Sequence, residues 1–167
     1  MQSTELLNYL KNTGAIMEGH FLLTSGLHSN VYIEKFRILE DPNALDLVCK
    51  EMSNIVKNKE IELVLGAAIG GILISGGVGR HLDAKHIFSE RVDGEMGLRR
   101  GFSINLKQKV LIVEDIITTG GSVIELIKLA ESYGSDVIHI VSLVDRSSNP
   151  IDFGVSFSSL LSIPSKS

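Results

Sequence analysis

Apolar residues along this chain change their period from segment to segment. Leu45, Val48, Cys49, Met52 and Val56 recur three and four residues apart, the spacing of one helix face. Asp41-Pro42 stands just before them as a helix cap and a first helical residue, so a helix is expected from 42 to about 57. Val123, Leu126, Ile127 and Ala130 predict a second helix, and Leu6 with Leu10 a short first one over 5–10. Short strand-like runs lie between, at 61–65, 84–88, 110–113 and 137–144; 61–65 and 110–113 read as buried strands. Gly66-Ala67-Ala68-Ile69-Gly70-Gly71 leads from the first run into a small-residue helix. Asp93-Gly94 predicts the turn of a β-hairpin over 91–104, and a last short strand is expected near Val155. Alternating strands and helices predict an α/β fold, a parallel sheet with helices on both faces, in one domain spanning 1–167.

One stretch adds chemistry to this pattern. The run Val110-Leu111-Ile112-Val113 ends in two adjacent carboxylates, Glu114-Asp115. Ile116-Ile117-Thr118-Thr119-Gly120-Gly121-Ser122 then leads into the helix of Val123. Amides and hydroxyls at a helix N-terminus, together with the helix dipole, favour an anion. Carboxylates beside such a site suit a ligand carrying both a phosphate and a polyol, and a sugar phosphate fits. The plain alternative is a capping box between Ser122 and Glu125. A P-loop is excluded because no Gly-Lys-Ser/Thr occurs, and a dinucleotide fingerprint because Gly77-Val78-Gly79 is followed by Arg80-His81-Leu82. The turn 66–71 can serve as an anion nest or as close helix–sheet packing. Gly66, Glu114-Asp115 and Asp145-Arg146 all fall at expected strand ends, where ligands bind in open α/β sheets.

The stretch 110–122 resembles the donor site of type I phosphoribosyltransferases, which bind 5-phosphoribosyl 1-diphosphate. That resemblance implies the family's fold, with a small N-terminal hood and a β-hairpin. It places Glu114 and Asp115 on the ribose hydroxyls and the segment Ile116, Ile117, Thr118, Thr119, Gly120, Gly121 and Ser122 around the 5′-phosphate. Three further segments resemble the orotate branch of the family: 19–32, including Thr24-Ser25-Gly26 and Tyr32; 89–102; and Asp145-Arg146, with Phe153-Gly154-Val155 near the end. In that branch Arg146 would grip the orotate carboxylate, a bidentate task suited to a guanidinium. Thr118, Tyr32 and Ile33 would complete the base site, and Arg91 would share catalysis with Asp115 by contacting the diphosphate. The resemblance further implies Mg²⁺ as cofactor, held mainly through substrate, and a homodimer in which the basic loop of one subunit reaches its neighbour's site. Many orotate enzymes carry lysines where this chain has Thr24 and Gly70, and a longer loop between the positions of Arg91 and Arg99. Here Arg91, Arg99 and Arg100 are the basic residues on offer.

Bulk properties narrow the field. In 167 residues, 44% are hydrophobic and 22% charged, which marks a globular chain. A net charge of −4 argues against general nucleic-acid binding. The apolar runs are too short to span a membrane, and the N-terminus lacks the basic and apolar regions of a signal peptide. The single cysteine, Cys49, sits on an apolar stripe and reads as a core residue in a reducing compartment, so a cytoplasmic enzyme is expected. His20 and His28 lack partners at zinc spacing, while His81, His86 and His139 read as structural. Two alternatives share the donor motif: transfer to a purine or uracil, and a non-catalytic sensor of phosphoribosyl diphosphate.

Overall fold

The computed structural model describes residues 1–22 and 28–165; Thr24, Ser25-Gly26 and Lys166-Ser167 lie outside the described residues. Helix α1 (Ser3–Asn12) buries Leu6 and Leu10. Strands β1 (Ile16–Leu22) and β2 (His28–Ile33) pair antiparallel, and α2 (Lys35–Leu39) follows at once. These three elements form the N-terminal hood. Helix α3 (Pro42–Val56) starts where the sequence places it, with Asp41 Oδ1 accepting from the amides of Asn43 (2.9 Å) and Ala44 (3.0 Å). That cap satisfies two of the four amides a helix start leaves unpaired.

The main sheet follows: β3 (Leu63–Ala67), α4 (Gly70–Leu82), β4 (Lys85–Val92), β5 (Glu95–Leu98), β6 (Lys109–Ile117), α5 (Gly121–Ser132), β7 (Asp136–Asp145) and β8 (Phe157–Ser162). Its order is β5-β4-β3-β6-β7-β8, parallel throughout except for the β4–β5 hairpin. The central strands are buried along almost their whole length, which explains their unbroken apolar sequences. One core cluster joins α1, α3 and α4 to one face through Leu10, Met52, Ile74 and Leu111. A second joins α5 and the hairpin side to the other through Leu126, Ile112 and Ile104. Burying a side chain of this size is worth about 1.5–3 kcal/mol. The expected two-faced α/β layering is therefore present.

Several boundaries differ from expectation; β3 is Leu63–Ala67 rather than 61–65 and takes in the first two residues of the expected turn. Strand β6 runs on through Ile117, whose side chain is buried in the second cluster. The hairpin's second strand stops at Leu98, so 99–104 leaves the sheet. The last strand is Phe157–Ser162 rather than a segment around Val155. Its three serines hide the strand from a hydrophobicity reading, and pairing with β7 supplies the order that its own sequence does not. His139 is structural as expected: its ring nitrogens bond the hydroxyls of Ser156 and Ser158, tying β7 to the edge.

The glycines of α4 show why a small-residue helix follows β3. A Cβ on Gly77 would collide with Cys49 Sγ, and one on Gly66 with the carbonyl of Gly71. Close packing of α4 against α3 and the sheet accounts for both, and Cys49 serves as the core residue anticipated.

Candidate active site

Strands β3 and β6 lie side by side and both end at the same edge of the sheet, with Glu114 and Asp115 near the end of β6. There a cleft of about 210 Å³ is lined by Glu114, Asp115, Ser122, Lys35, Arg91 and the turn 67–70. Glu114 and Asp115 are 7% and 5% exposed, so two neighbouring carboxylates are held almost out of water. Burial, and next the adjacent Asp115 charge, push the Glu114 carboxyl up, to about 8. Asp115 is held from two sides: Oδ1 accepts from the Ile116 amide at 2.6 Å, and Oδ2 lies 2.7 Å from Lys35 Nζ. A Cβ on Gly70 would fall on the Asp115 carboxylate, so the turn after β3 has room for that carboxylate only because residue 70 is glycine.

Beside the carboxylates, the turn from β6 to α5 forms a cup of about 50 Å³ lined by Glu114 and the residues from Ile116 to Val123. Thr118 and Thr119 are exposed, and Gly120 adopts φ +86°. A side chain there would be strained and would also meet Phe153 at 2.9 Å, so position 120 requires glycine. The N-cap of α5 is Gly120, which has no side chain to offer, while Thr119 Oγ1 accepts from the Gly121 amide at 3.4 Å. The Ser122–Glu125 capping box is thus not formed: Ser122 lies inside the helix and Glu125 pairs with Arg91 instead. Because β6 continues through Ile117, the turn proper is shorter than the sequence suggested. Ile117 can offer a ligand only its backbone, and Ile116 is half-buried against the first core cluster.

The remaining candidates scatter. Arg91 lines the cleft, but its guanidinium forks onto Glu125 at 2.8 and 2.7 Å and also donates to the Gly94 carbonyl. Arg100 pairs with Glu90 and lies over the Phe88 ring at 5.8 Å. Arg146 is buried; its Nε donates to the Ile163 carbonyl (3.1 Å) and its Nη2 to the Val31 carbonyl (2.9 Å), joining the hood to the end of β7. Tyr32 is half-buried on β2. Ile33 is 7% exposed and packs in the first core cluster, on the face of β2 opposite to that of Tyr32, since alternate residues of a strand face opposite sides. Lys35 was not foreseen. Its signal, a single charged pair Glu34-Lys35 before a short apolar stretch, looks like any exposed helix start.

Comparison with known proteins now bears on the arrangement. The Phosphoribosyl transferase domain family matches residues 37–153. A curated orotate phosphoribosyltransferase of Thermotoga maritima is 47% identical over 154 residues, covering 92% of this chain and 82% of its own. Another, of Chlorobium phaeobacteroides, is 42% identical and covers 99% and 86%. This chain belongs to the phosphoribosyltransferase family. Among solved structures, orotate phosphoribosyltransferase from Aeropyrum pernix superposes with a TM-score of 0.80 at 24% identity, over 94% of this chain and 93% of that one. An adenine phosphoribosyltransferase from Rhodothermus marinus superposes almost as well, at 0.75 and 22% identity, over 96% and 99%. The phosphoribosyltransferase fold therefore does not select the base; sequence identity carries the distinction.

Proposed function

We propose that this phosphoribosyltransferase moves ribose 5-phosphate from 5-phosphoribosyl 1-diphosphate to orotate, giving orotidine 5′-monophosphate and diphosphate in pyrimidine (UMP) synthesis. The observation that carries the reading is one juxtaposition. A helix-start cup sized for a phosphate adjoins a buried carboxylate pair, on a single turn of the chain. In this reading Thr118, Thr119, Gly120, Gly121 and Ser122 hold the 5′-phosphate, and Glu114 and Asp115 accept from the ribose hydroxyls. The similarity to curated orotate enzymes over nearly the whole chain supports orotate as acceptor. Arg146 supplies the guanidinium for its carboxylate, with Tyr32 and Thr118 beside the base.

Chemistry follows from this placement. As the bond from the anomeric carbon to diphosphate breaks, positive charge grows on the ribose, and the orotate nitrogen attacks from the opposite face. No enzyme nucleophile is needed; the protein positions the reactants and stabilises the departing charge. The buried carboxylates fix the ribose while lying near the developing cation, and the hood limits access of water. The donor set fits Mg²⁺: the carboxylates of Glu114 and Asp115 offer hard oxygen ligands at the cleft. Such an ion, carried by the substrate with Glu114 and Asp115 at its side, would neutralise diphosphate charge. Among the described residues no helix is long and apolar enough to cross a membrane.

Assembly as a homodimer is part of the same proposal, supported by the exposure of Ile69 (74%) and Leu73 (50%) beside the cleft. Orotate consumption, followed spectrophotometrically with donor and Mg²⁺, tests the activity. Turnover needing all three supports it; turnover with adenine and none with orotate replaces the acceptor.

A further inference from the structure

Among the described residues the cleft is lined by two cations whose situations differ. Arg91 is spent on an exposed fork to Glu125 and on the Gly94 carbonyl. Lys35 has its ion-pair partner inside the cleft, and that partner is Asp115, the carboxylate assigned to the ribose. The lysine side chain is one-third exposed and the aspartate 7%, so the ammonium stands at the mouth with the carboxylate beneath it. Position 35 is fixed from behind by Glu34, whose carboxylate accepts from the Phe36 amide at the start of α2. From there Nζ reaches across to the turn after β3, passing 3.4 Å from where a Cβ on Gly70 would stand. That turn, Ala67-Ala68-Ile69-Gly70, offers a polyanion only small or apolar side chains and backbone, with no charge of its own.

We propose that Lys35 is the cation that receives the donor's diphosphate, exchanging the Asp115 carboxylate for diphosphate oxygens as ribose hydroxyls occupy that carboxylate. The inference rests on the donor reading of the cleft given above. An ammonium suits the exchange because it is a compact charge with three rotatable donors on a flexible stem. A guanidinium forked on a carboxylate, as Arg91 is, has two bonds to break before it can turn. The pairing also links binding to the hood, since Lys35 belongs to α2 and Asp115 to the main sheet. In the empty site the ion pair keeps a buried carboxylate compensated; in the filled site the same lysine faces the charge that leaves.

The test separates the two halves of the donor. Calorimetric titration of the full-length chain with diphosphate plus Mg²⁺, and separately with ribose 5-phosphate, is carried out on wild type, Lys35→Met and Lys35→Arg. Loss of one charge-assisted contact predicts about a 10- to 100-fold weaker diphosphate affinity in Lys35→Met. Ribose 5-phosphate binding should stay near the wild-type value, which also shows that the variant is folded, and Lys35→Arg should recover most of the loss. Equal weakening of both ligands would make Lys35 a structural counter-charge and overturn the inference, as would unchanged diphosphate binding. Wild-type protein that binds neither ligand would overturn the donor reading itself, and this inference with it.

Discussion

The floor of the cleft and its hood side are built in opposite ways. The floor is one unbroken stretch, Glu114 to Ser122, in which a strand end, a turn and a helix start follow one another in the chain. The hood side of the proposed site would be collected from distant places: Lys35 on α2, which lines the cleft, and the proposed base residues Tyr32 on β2 and Arg146 after β7, the last stitched to Val31 and Ile163. A floor fixed by local backbone geometry can be held by short-range constraints such as the φ of Gly120. A roof gathered across 115 residues of separation depends on tertiary contacts. In the proposed function the floor takes the donor's ribose 5-phosphate and the hood side takes the base.

Breaking the floor should have the largest effect. Asp115→Asn removes a carboxylate assigned to the ribose in the proposed function while keeping its shape, and kcat should fall by about 10²-fold or more with folding intact, as read by steady-state kinetics beside circular dichroism. Near-normal turnover would remove Asp115 from the ribose role. Arg146→Ala should act on the other half: the orotate KM should rise by about tenfold or more, with the donor KM little changed. It should also lower stability by about 1–3 kcal/mol, because the buried carbonyls of Val31 and Ile163 lose a donor. Equal damage to both substrates would show that the roof and the floor are not separable.

Two smaller effects sharpen the contrast. Gly120→Ala should cost about 1–3 kcal/mol, since alanine is strained at φ +86° and its Cβ meets Phe153. Thermal melts would read this, and a Phe153→Leu background should relieve the steric part only. The remaining check is a pH dependence. The Glu114 carboxyl is raised in the folded protein from an ordinary 4.5 to about 8, so between those values the native state binds more protons than the unfolded chain. Stability must then fall as pH rises through that window, being unaffected by this group below it and fully penalised above it. Glu114→Gln should flatten the slope in denaturant titrations from pH 5 to 8; an unchanged slope would assign the raised proton affinity elsewhere.

How much of this could be read beforehand follows the same line. Strands near 63–65 and 110–113, the capped helix at Asp41-Pro42, the Asp93-Gly94 turn and the turn from β6 into α5 were legible because each is specified by residues close together. The family resemblance added the hood and the roles of Arg91 and Arg146, which spacing alone does not contain. Misplaced features were those that long-range packing decides. β6 gained Ile116 and Ile117 because β7 pairs with both, and β8 formed from a serine-rich segment because β7 offered it an edge. Long-range packing also set what single positions meet: Ile33 packs in the core with the pleat of β2, and Arg91 on β4 pairs with Glu125 on α5.

By itself the sequence determined the alternation of buried strands with amphipathic helices, and the local chemistry at 114–122. Periodicity and turn residues act over a few positions, and every chain with that pattern faces the same steric and hydration rules. Tertiary structure alone decided which charges meet. Lys35 reached Asp115 because the hood folds over the ends of the central strands. Two residues 80 positions apart carry no mutual signal in a single sequence, yet at 2.7 Å they set the charge of the cleft.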